Sequence, residues 1–292
     1  MNGQAVHIVL TFDDAFWAPA FAVMRSACLA SRSAKNLVFH LMYRGLGTAH
    51  RNELAQITSE FGATLIDYDL TGNQQFQAFL EGMPYHPKLT NLVYARLLID
   101  RLLPADIERV IYLDCDIYVR APLEELAELD LEGHPIAAVL DPGRHKQMLG
   151  RDLRQNLDLF DFHFRYFNAG VLVIDRRGFA AHDLPGRTRA FNEAGILARA
   201  QYDQAVLNLA FKDNWLPLDF RWNLICPAPE HEVLEPKILH YTGHRKPWAL
   251  LSRAAFAQTY RHTMTNAIFY RYWRERWQRR LLKPWRKLMG RS

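Results

Sequence analysis

At 292 residues, 49% of them hydrophobic and 23% charged, with 15 Gly and 14 Pro, the chain is neither disordered, collagen-like nor coiled-coil. Its length suits one large globular domain or two small ones. The formal charge of +5 is uneven: residues 253–292 hold 11 Lys/Arg against Glu275 alone, and residues 1–252 hold 25 Lys/Arg against 30 Asp/Glu. The basicity is therefore a property of the C-terminal segment, and the mildly acidic body argues against a nucleic-acid partner.

Short β runs alternate with helical patterns through the body. His7 to Phe12 reads as a buried strand ending at Asp13-Asp14, and Phe21 to Ser31 as a helix with Pro19 near its start. Leu37 to Met42 is the next strand, Asn52 to Phe61 a helix closed by Gly62, and Ala63 to Asp67 a third strand. Asn91 to Leu103 reads as a helix with Pro104 beyond it, and Arg109 to Leu113 as a strand running into Asp114. Then come a strand at Ile136 to Leu140 ending at Asp141, another at Val171 to Ile174, a helix at Ala205 to Phe211 and a short strand at Lys237 to His240. This rhythm predicts an α/β sandwich with a mostly parallel sheet, in which ligands sit at the carboxyl ends of the strands. Asp13 and Asp114 both stand at such ends. The three cysteines (Cys28, Cys115, Cys226) contain no Cys-x-x-Cys. That argues against a disulfide scaffold or zinc finger and for a reducing cytosol. No secretory signal and no membrane span is expected.

Asp114-Cys115-Asp116 carries the sharpest local signal. Two carboxylates on one face at the end of an apolar strand repel unless a cation or proton lies between them. Hard oxygen ligands in an open site suit Mg²⁺ or Mn²⁺; the alternative is a surface turn with two solvated acids. Cys115 is expected to point into the core. His240 ends another apolar run, followed by Gly243 and Lys246, a combination able to complete a metal–diphosphate site. Thr11-Phe12-Asp13-Asp14 offers a carboxylate to a base or ribose, or else a helix N-cap. Asn168, just ahead of a predicted strand, can donate to and accept from a sugar hydroxyl, or can serve a turn. Asp203-Gln204 can bind adjacent hydroxyls or cap the helix that they open.

The segment from Phe269 to Lys287 interleaves aromatics with cations, and Phe269, Tyr272, Trp273 and Trp277 share one helical face. It reads as an interfacial helix drawn to anionic lipid, broken at Pro284, or as a helix packed on the body with a solvated basic face.

Together these pieces resemble glycosyltransferase family 8, retaining enzymes that use UDP-sugars, and look most like bacterial lipooligosaccharide and lipopolysaccharide galactosyl- and glucosyltransferases. The matching motifs run in order: Leu10 to Asp14, Tyr94-Ala95-Arg96-Leu97, Val110 to Asp116, Phe167 to Leu172, Asp203-Gln204 through Leu207-Asn208, and His240 to Gly243 with Lys246-Pro247-Trp248. The resemblance implies a glycosyltransferase A-type, Rossmann-like fold with a mixed, mostly parallel sheet. It implies a catalytic domain over 1–250 and a basic, aromatic membrane-association segment over 251–292. Asp114, Asp116 and His240 would hold Mn²⁺ (or Mg²⁺). Thr11 and Asp13 would contact uridine, with Phe16 near the uracil, and Gly243 and Lys246 would meet the diphosphate. Arg96, Asn168, Asp203 and Gln204 would hold the donor hexose, with Asp141 near the reacting hydroxyls and Gln204 facing the anomeric carbon.

The implied partners are a UDP-hexose (galactose or glucose), a saccharide or lipid-linked saccharide acceptor such as lipopolysaccharide core, and an anionic inner-membrane surface reached through the tail. The implied location is the cytoplasm, peripherally associated with that membrane. The chain departs from the family pattern at Ala15 and at Ala205, where a third acid would follow Asp203-Gln204; losing that acid removes a candidate nucleophile. The competing readings are a metal-dependent hydrolase (a phosphatase, or a deacetylase using Thr11 to Asp14 with His240 and His244) and a non-catalytic glycan-binding module.

Overall fold

The computed structural model describes residues 4–84, 91–142, 156–161, 163–200 and 202–288. Seven strands form the central sheet: β1 (Val6–Asp13), β2 (Leu37–Arg44), β3 (Thr64–Asp69), β4 (Arg109–Leu113), β6 (Ile136–Leu140), β7 (Phe167–Asp175) and β8 (Leu216–Pro217), in the order β3-β2-β1-β4-β7-β6-β8. The β3-β2-β1-β4 half is parallel throughout, β7 runs antiparallel to β4 and β6, and β8 is parallel to β6. A second sheet has β10 (Ile238–His240) between β5 (Ile117–Val119) and β9 (Leu224–Ile225).

The central strands are apolar at nearly every position because both of their faces are covered. On β4, Ile111 and Leu113 enter one core cluster and Val110 and Tyr112 the other. On β7, Val171 and Val173 face the first, and Leu172 and Ile174 the second. Helix α1 (Trp17–Ala30) is buried on almost all sides, between the sheet and the helices α3 (Ala257–Met264) and α4 (Asn266–Leu288). Helix α2 (Tyr202–Ala210) covers the opposite face, with Val206 and Leu207 in its core.

Most expected elements are present, with informative differences. The helix expected over 91–103 is a 3₁₀ segment, Asn91–Leu98, followed by a short α-helix, Ile99–Leu102. Six of its eight 3₁₀ residues are buried, so packing on several sides, not an amphipathic stripe, sets its form. The helix expected over 52–61 divides into Thr48–Leu54 and Gln56–Phe61, the second ending at Gly62 in the left-handed region. Strand β7 starts at Phe167, so Asn168 and Gly170 lie within the strand and not in a turn before it. Helix α4 runs past Pro284 to Leu288, since one proline removes a single N–H and can bend a helix without ending it.

Candidate active site

Strands β1 and β4 are parallel neighbours, so their carboxyl ends bring Asp13 and Asp114 to one edge of the sheet. Strand β4 ends at Leu113. Asp114-Cys115-Asp116 is the turn that carries the chain from the large sheet into β5 of the small one. Cys115 fills the core beneath it, as expected, and burial, with Asp114 and Asp116 nearby, pushes its thiol pKa well up, leaving it inert. The antiparallel partner of β5 is β10, in which His240 stands opposite Ile117. The Tyr241 amide donates to the Asp116 carbonyl at 2.9 Å. The junction of the two sheets is therefore what sets His240 against the two acids.

One ligand atom from each of Asp114, Asp116 and His240 lies within 4.8 Å of the others. His240 Nε2 is 3.1 Å from Asp116 Oδ1 and 3.7 Å from Asp114 Oδ2. The donor set of two carboxylates and an imidazole fits a hard divalent cation. The imidazole is held in the orientation that a ligand needs. Its Nδ1 is 2.8 Å from Asn223 Oδ1, and the Asn223 amide nitrogen donates to Asn168 Oδ1 at 2.8 Å. The Asn223 oxygen thus accepts from Nδ1–H and aims Nε2 at the acids, as the hydrogen-bond partners of metal-ligating histidines commonly do. The sequence reading missed Asn223, whose surroundings of Phe220-Arg221-Trp222 carry no motif. Gly170 is required beside it, because a Cβ there would stand 2.3 Å from the His240 ring.

Cations balance the acids in this form. Burial alone would raise the Asp116 carboxyl, but His240 and Lys246 outweigh it and hold Asp116 well below the usual carboxylate range. Burial likewise opposes charge on His240, yet Asp116 and Asp114 keep its pKa above that of a free imidazole. Lys246 Nζ donates to Asp116 Oδ2 at 2.6 Å and to the Tyr241 carbonyl at 2.5 Å. On the other flank, Arg96 Nη2 donates to Asp114 Oδ1 at 2.8 Å and Nη1 to the Ala169 carbonyl at 2.7 Å, and Nε lies 2.5 Å from Asp203 Oδ2. Its guanidinium also stacks over Tyr112, 4.3 Å from the ring centre. Burial disfavours the Arg96 charge, but Asp114 and Asp203 more than compensate and raise its pKa. Burial raises the Asp203 carboxyl, against the opposing pull of Arg96.

A second network continues from Asn223. Asn168 Nδ2 reaches Asp141 Oδ2 and Gln204 Oε1, each at 3.3 Å. Gln204 Oε1 accepts from the Ala169 amide at 3.1 Å, and its Nε2 donates to Asp141 Oδ2 at 3.3 Å. One hydrogen-bonded chain thus joins the acids, His240, Asn168, Gln204 and Asp141, which come from five separate segments. Ala205, at the departure from the family pattern, is buried in an apolar cluster with Phe160, Phe164 and Tyr166. A carboxylate there would lose its solvation among those aromatic side chains.

The expected nucleotide contacts line the β1 end. Thr11 Oγ1 is bonded to the Tyr112 hydroxyl at 2.8 Å. Asp13 caps the following 3₁₀ turn by accepting from the Ala15 amide at 2.9 Å, so the capping role is realised. Phe16 is exposed and meets Trp248 edge to face at 5.9 Å. Gly243 adopts a left-handed φ of 78° in the exposed turn after His240, a conformation that favours glycine.

The C-terminal helix reaches this loop. Ile268, Phe269 and Tyr272 of α4 are buried in the body's core, Trp273 is half-buried and Trp277 is exposed. The Tyr272 hydroxyl donates to the Ala15 carbonyl at 2.9 Å, and Glu275 accepts from Trp17 Nε1 at 3.0 Å. His50 lies between Glu275 at 3.2 Å and Asp14 at 2.5 Å, stacked on Trp17. Arg279 also pairs with Asp14, at 3.0 Å. Among the described residues no helix is long and apolar enough to cross a membrane.

Comparison with known proteins gives a consistent result. The family model described as glycosyl transferase family 8 matches residues 7–251. Glycosyltransferase GlyA of Streptococcus pneumoniae is 27% identical over 261 residues, which cover 87% of this chain but 33% of GlyA. Lipopolysaccharide glucosyltransferase WaaO of Escherichia coli is 24% identical over 237 residues, covering 76% of this chain and 67% of WaaO. Among solved structures, the galactosyltransferase LgtC in complex with donor and acceptor sugar analogs superposes with a TM-score of 0.73 at 24% identity, over 89% of this chain and 95% of LgtC.

Proposed function

The chain belongs to glycosyl transferase family 8 and is a glycosyltransferase of the A-type fold, and from that premise we propose that it moves a hexose, galactose or glucose, from a UDP-sugar to a saccharide acceptor with retention of configuration. The observation that carries this reading is the meeting of Asp114, Asp116 and His240 at the carboxyl edge of the sheet, joined by hydrogen bonds to Asn168, Gln204 and Asp141. Lipopolysaccharide core is the proposed acceptor class, supported by the similarity to WaaO.

Asp114, Asp116 and His240 would hold Mn²⁺ or Mg²⁺; when bound, the ion neutralises charge that develops on the departing diphosphate. His240 would serve as a ligand through Nε2 in its neutral form, its Nε2 proton released to solvent, and would keep its orientation through Asn223. Lys246 would exchange its bond to Asp116 for a phosphate oxygen, and the Gly243 turn leaves its backbone open to the same group. Thr11, Asp13 and Phe16 would meet the uridine. Arg96, Asn168 and Asp203 would hold the donor hexose, with Gln204 at the anomeric carbon and Asp141 fixing the Gln204 amide.

Asp203 is tied to Arg96 and Ala205 lies in apolar packing, so neither position supplies a free carboxylate nucleophile. That supports attack by the acceptor hydroxyl on the face the diphosphate leaves, driven by electrostatic stabilisation of the leaving group. The acceptor-side proposal extends to location: the exposed Tyr270, Trp277 and Leu281 of α4, among its arginines, support peripheral attachment to an anionic membrane from the cytoplasmic side.

The test is Mn²⁺-dependent UDP binding. Saturation at ~100 Kd adds about 2.7 kcal/mol, a shift of several degrees in Tm for a chain of this size. Both ligands should be required, and Asp116→Ala should abolish the shift. Unchanged binding by that variant overturns the metal role, and no shift with any nucleotide overturns the transferase reading.

A further inference from the structure

A pocket of about 510 Å³ opens beyond the ends of β9 and β10. It shares a wall with the metal-binding edge. The Cys226 amide donates to the His240 carbonyl at 3.0 Å, and Cys226 Sγ lies 3.0 Å from Thr242 Oγ1. The segment after His240 therefore faces two ways. His240 and Lys246 turn toward Asp116, while Thr242, His244 and Arg245 line the pocket. Arg253, from beyond Trp248, closes it from another side.

The lining is chemically one-sided. It holds two guanidiniums and an imidazole and no carboxylate, against apolar surface from the Pro227–Pro229 segment and from Ala254 and Ala255. Among the described residues neither Arg245 nor Arg253 makes an ion pair, whereas Arg96, Arg120, Arg199 and Arg271 each do. The nearby cations of the metal edge are also committed, Lys246 to Asp116 and Arg96 to Asp114 and Asp203. Two exposed guanidiniums, from separate segments of the lining and without an ion pair, present forked donors suited to phosphate or carboxylate oxygens. The flat proline and alanine surface beside them suits the apolar face of a sugar ring.

Resting on the transferase reading above, we infer that this pocket is an acceptor subsite for an anionic saccharide, with Arg245 and Arg253 holding a phosphate or carboxylate on the sugar next to the one that is glycosylated. The shared wall places that anion beside the metal edge without using Lys246, which is left for the donor diphosphate. The subsite thus selects acceptors by charge, a selection the donor half of the site cannot make.

The experiment uses the full chain with Mn²⁺ and UDP. Binding of glucose, glucose 6-phosphate and glucuronic acid is followed by NMR titration, with the same titrations repeated without nucleotide. An anionic probe should bind at least about tenfold tighter than glucose, an advantage of the size given by one charge-assisted contact. The two anionic arms separate phosphate from carboxylate. The double variant Arg245→Ala/Arg253→Ala should lose that advantage while keeping UDP affinity. The double variant Arg177→Ala/Arg189→Ala, which removes the same charge from exposed sites elsewhere, should keep it. Equal binding of all three probes overturns the inference, as does an advantage that survives in Arg245→Ala/Arg253→Ala. Failure of UDP to bind the wild-type chain counts against the transferase reading instead, and the titrations without nucleotide still decide the anion preference.

Discussion

Deleting the C-terminal helix at two points separates its structural half from its surface-binding half. Removal of 266–292 takes Ile268, Phe269 and Tyr272 out of the core, where each is at most 3% exposed. At about 1.5–3 kcal/mol per buried side chain, that is roughly 5–9 kcal/mol before the recovered chain entropy is counted. It also strips the hydrogen-bond partner from Trp17, which is fully buried, and from the Ala15 carbonyl. A net loss of several kcal/mol is a large part of the ~5–15 kcal/mol that holds a domain together. At about 2–4 °C per kcal/mol, Tm should fall by at least about 10 °C, and Mn²⁺-dependent UDP binding should weaken because Ala15 is hydrogen-bonded to Asp13, the proposed uridine contact. Removal of 282–292 spares those contacts and takes four Lys/Arg. That variant should keep Tm and UDP affinity but lose up to about a thousandfold in binding to anionic liposomes, at about 1 kcal/mol per cation. Calorimetric melting, UDP titration and liposome co-sedimentation read the three outcomes. A 266–292 deletion with wild-type Tm and UDP affinity refutes the packing argument; undiminished liposome binding by the shorter deletion refutes the cationic anchor.

Two further predictions follow from buried charge. Arg96→Met leaves Asp203 buried without its cation and should cost about 3–5 kcal/mol in chemical denaturation, part of it recovered in Arg96→Met/Asp203→Asn; a loss below about 1 kcal/mol would show that Arg96 does not hold the cluster together. His40 is fully buried between His7 and the Tyr68 hydroxyl, and burial, with His7 adding, pushes its pKa down to about 4 from a usual 6.5. Between those values the unfolded chain binds the extra proton, so stability falls as pH is lowered through that window, by about 3 kcal/mol at pH 4. His40→Gln should flatten that part of the stability–pH curve; an unchanged slope assigns the acid sensitivity elsewhere.

Much of the fold was legible because its signals are local. The unbroken apolar runs of β1, β4 and β7 announce strands covered on both faces, and the acids that follow β1 and β4 fall where such strands end. The motifs of Asp114 to Asp116, Asn168 to Val171 and His240 to Trp248 carried the family. Periodicity could not give strand direction, and the reversal of β7 is what lays Gly170 under the His240 ring. Asn223 has no local signature, since its value lies in reaching His240 and Asn168 at once.

The aromatic stripe of the tail was legible as a stripe, but not what it faces. Glu275 meets Trp17 across 258 positions of sequence, and only the placement of α4 against α1 turns a surface-seeking pattern into one that is half core. Sequence by itself determined which segments form strands and helices and which residue types gather at their ends, because backbone propensity and side-chain alternation act over a few residues. Tertiary structure alone decided which acid meets which cation, that Ala205 sits in apolar packing, and that Arg245 and Arg253 line one pocket. Those outcomes depend on sheet order and on contacts between distant segments, which no short window of sequence contains.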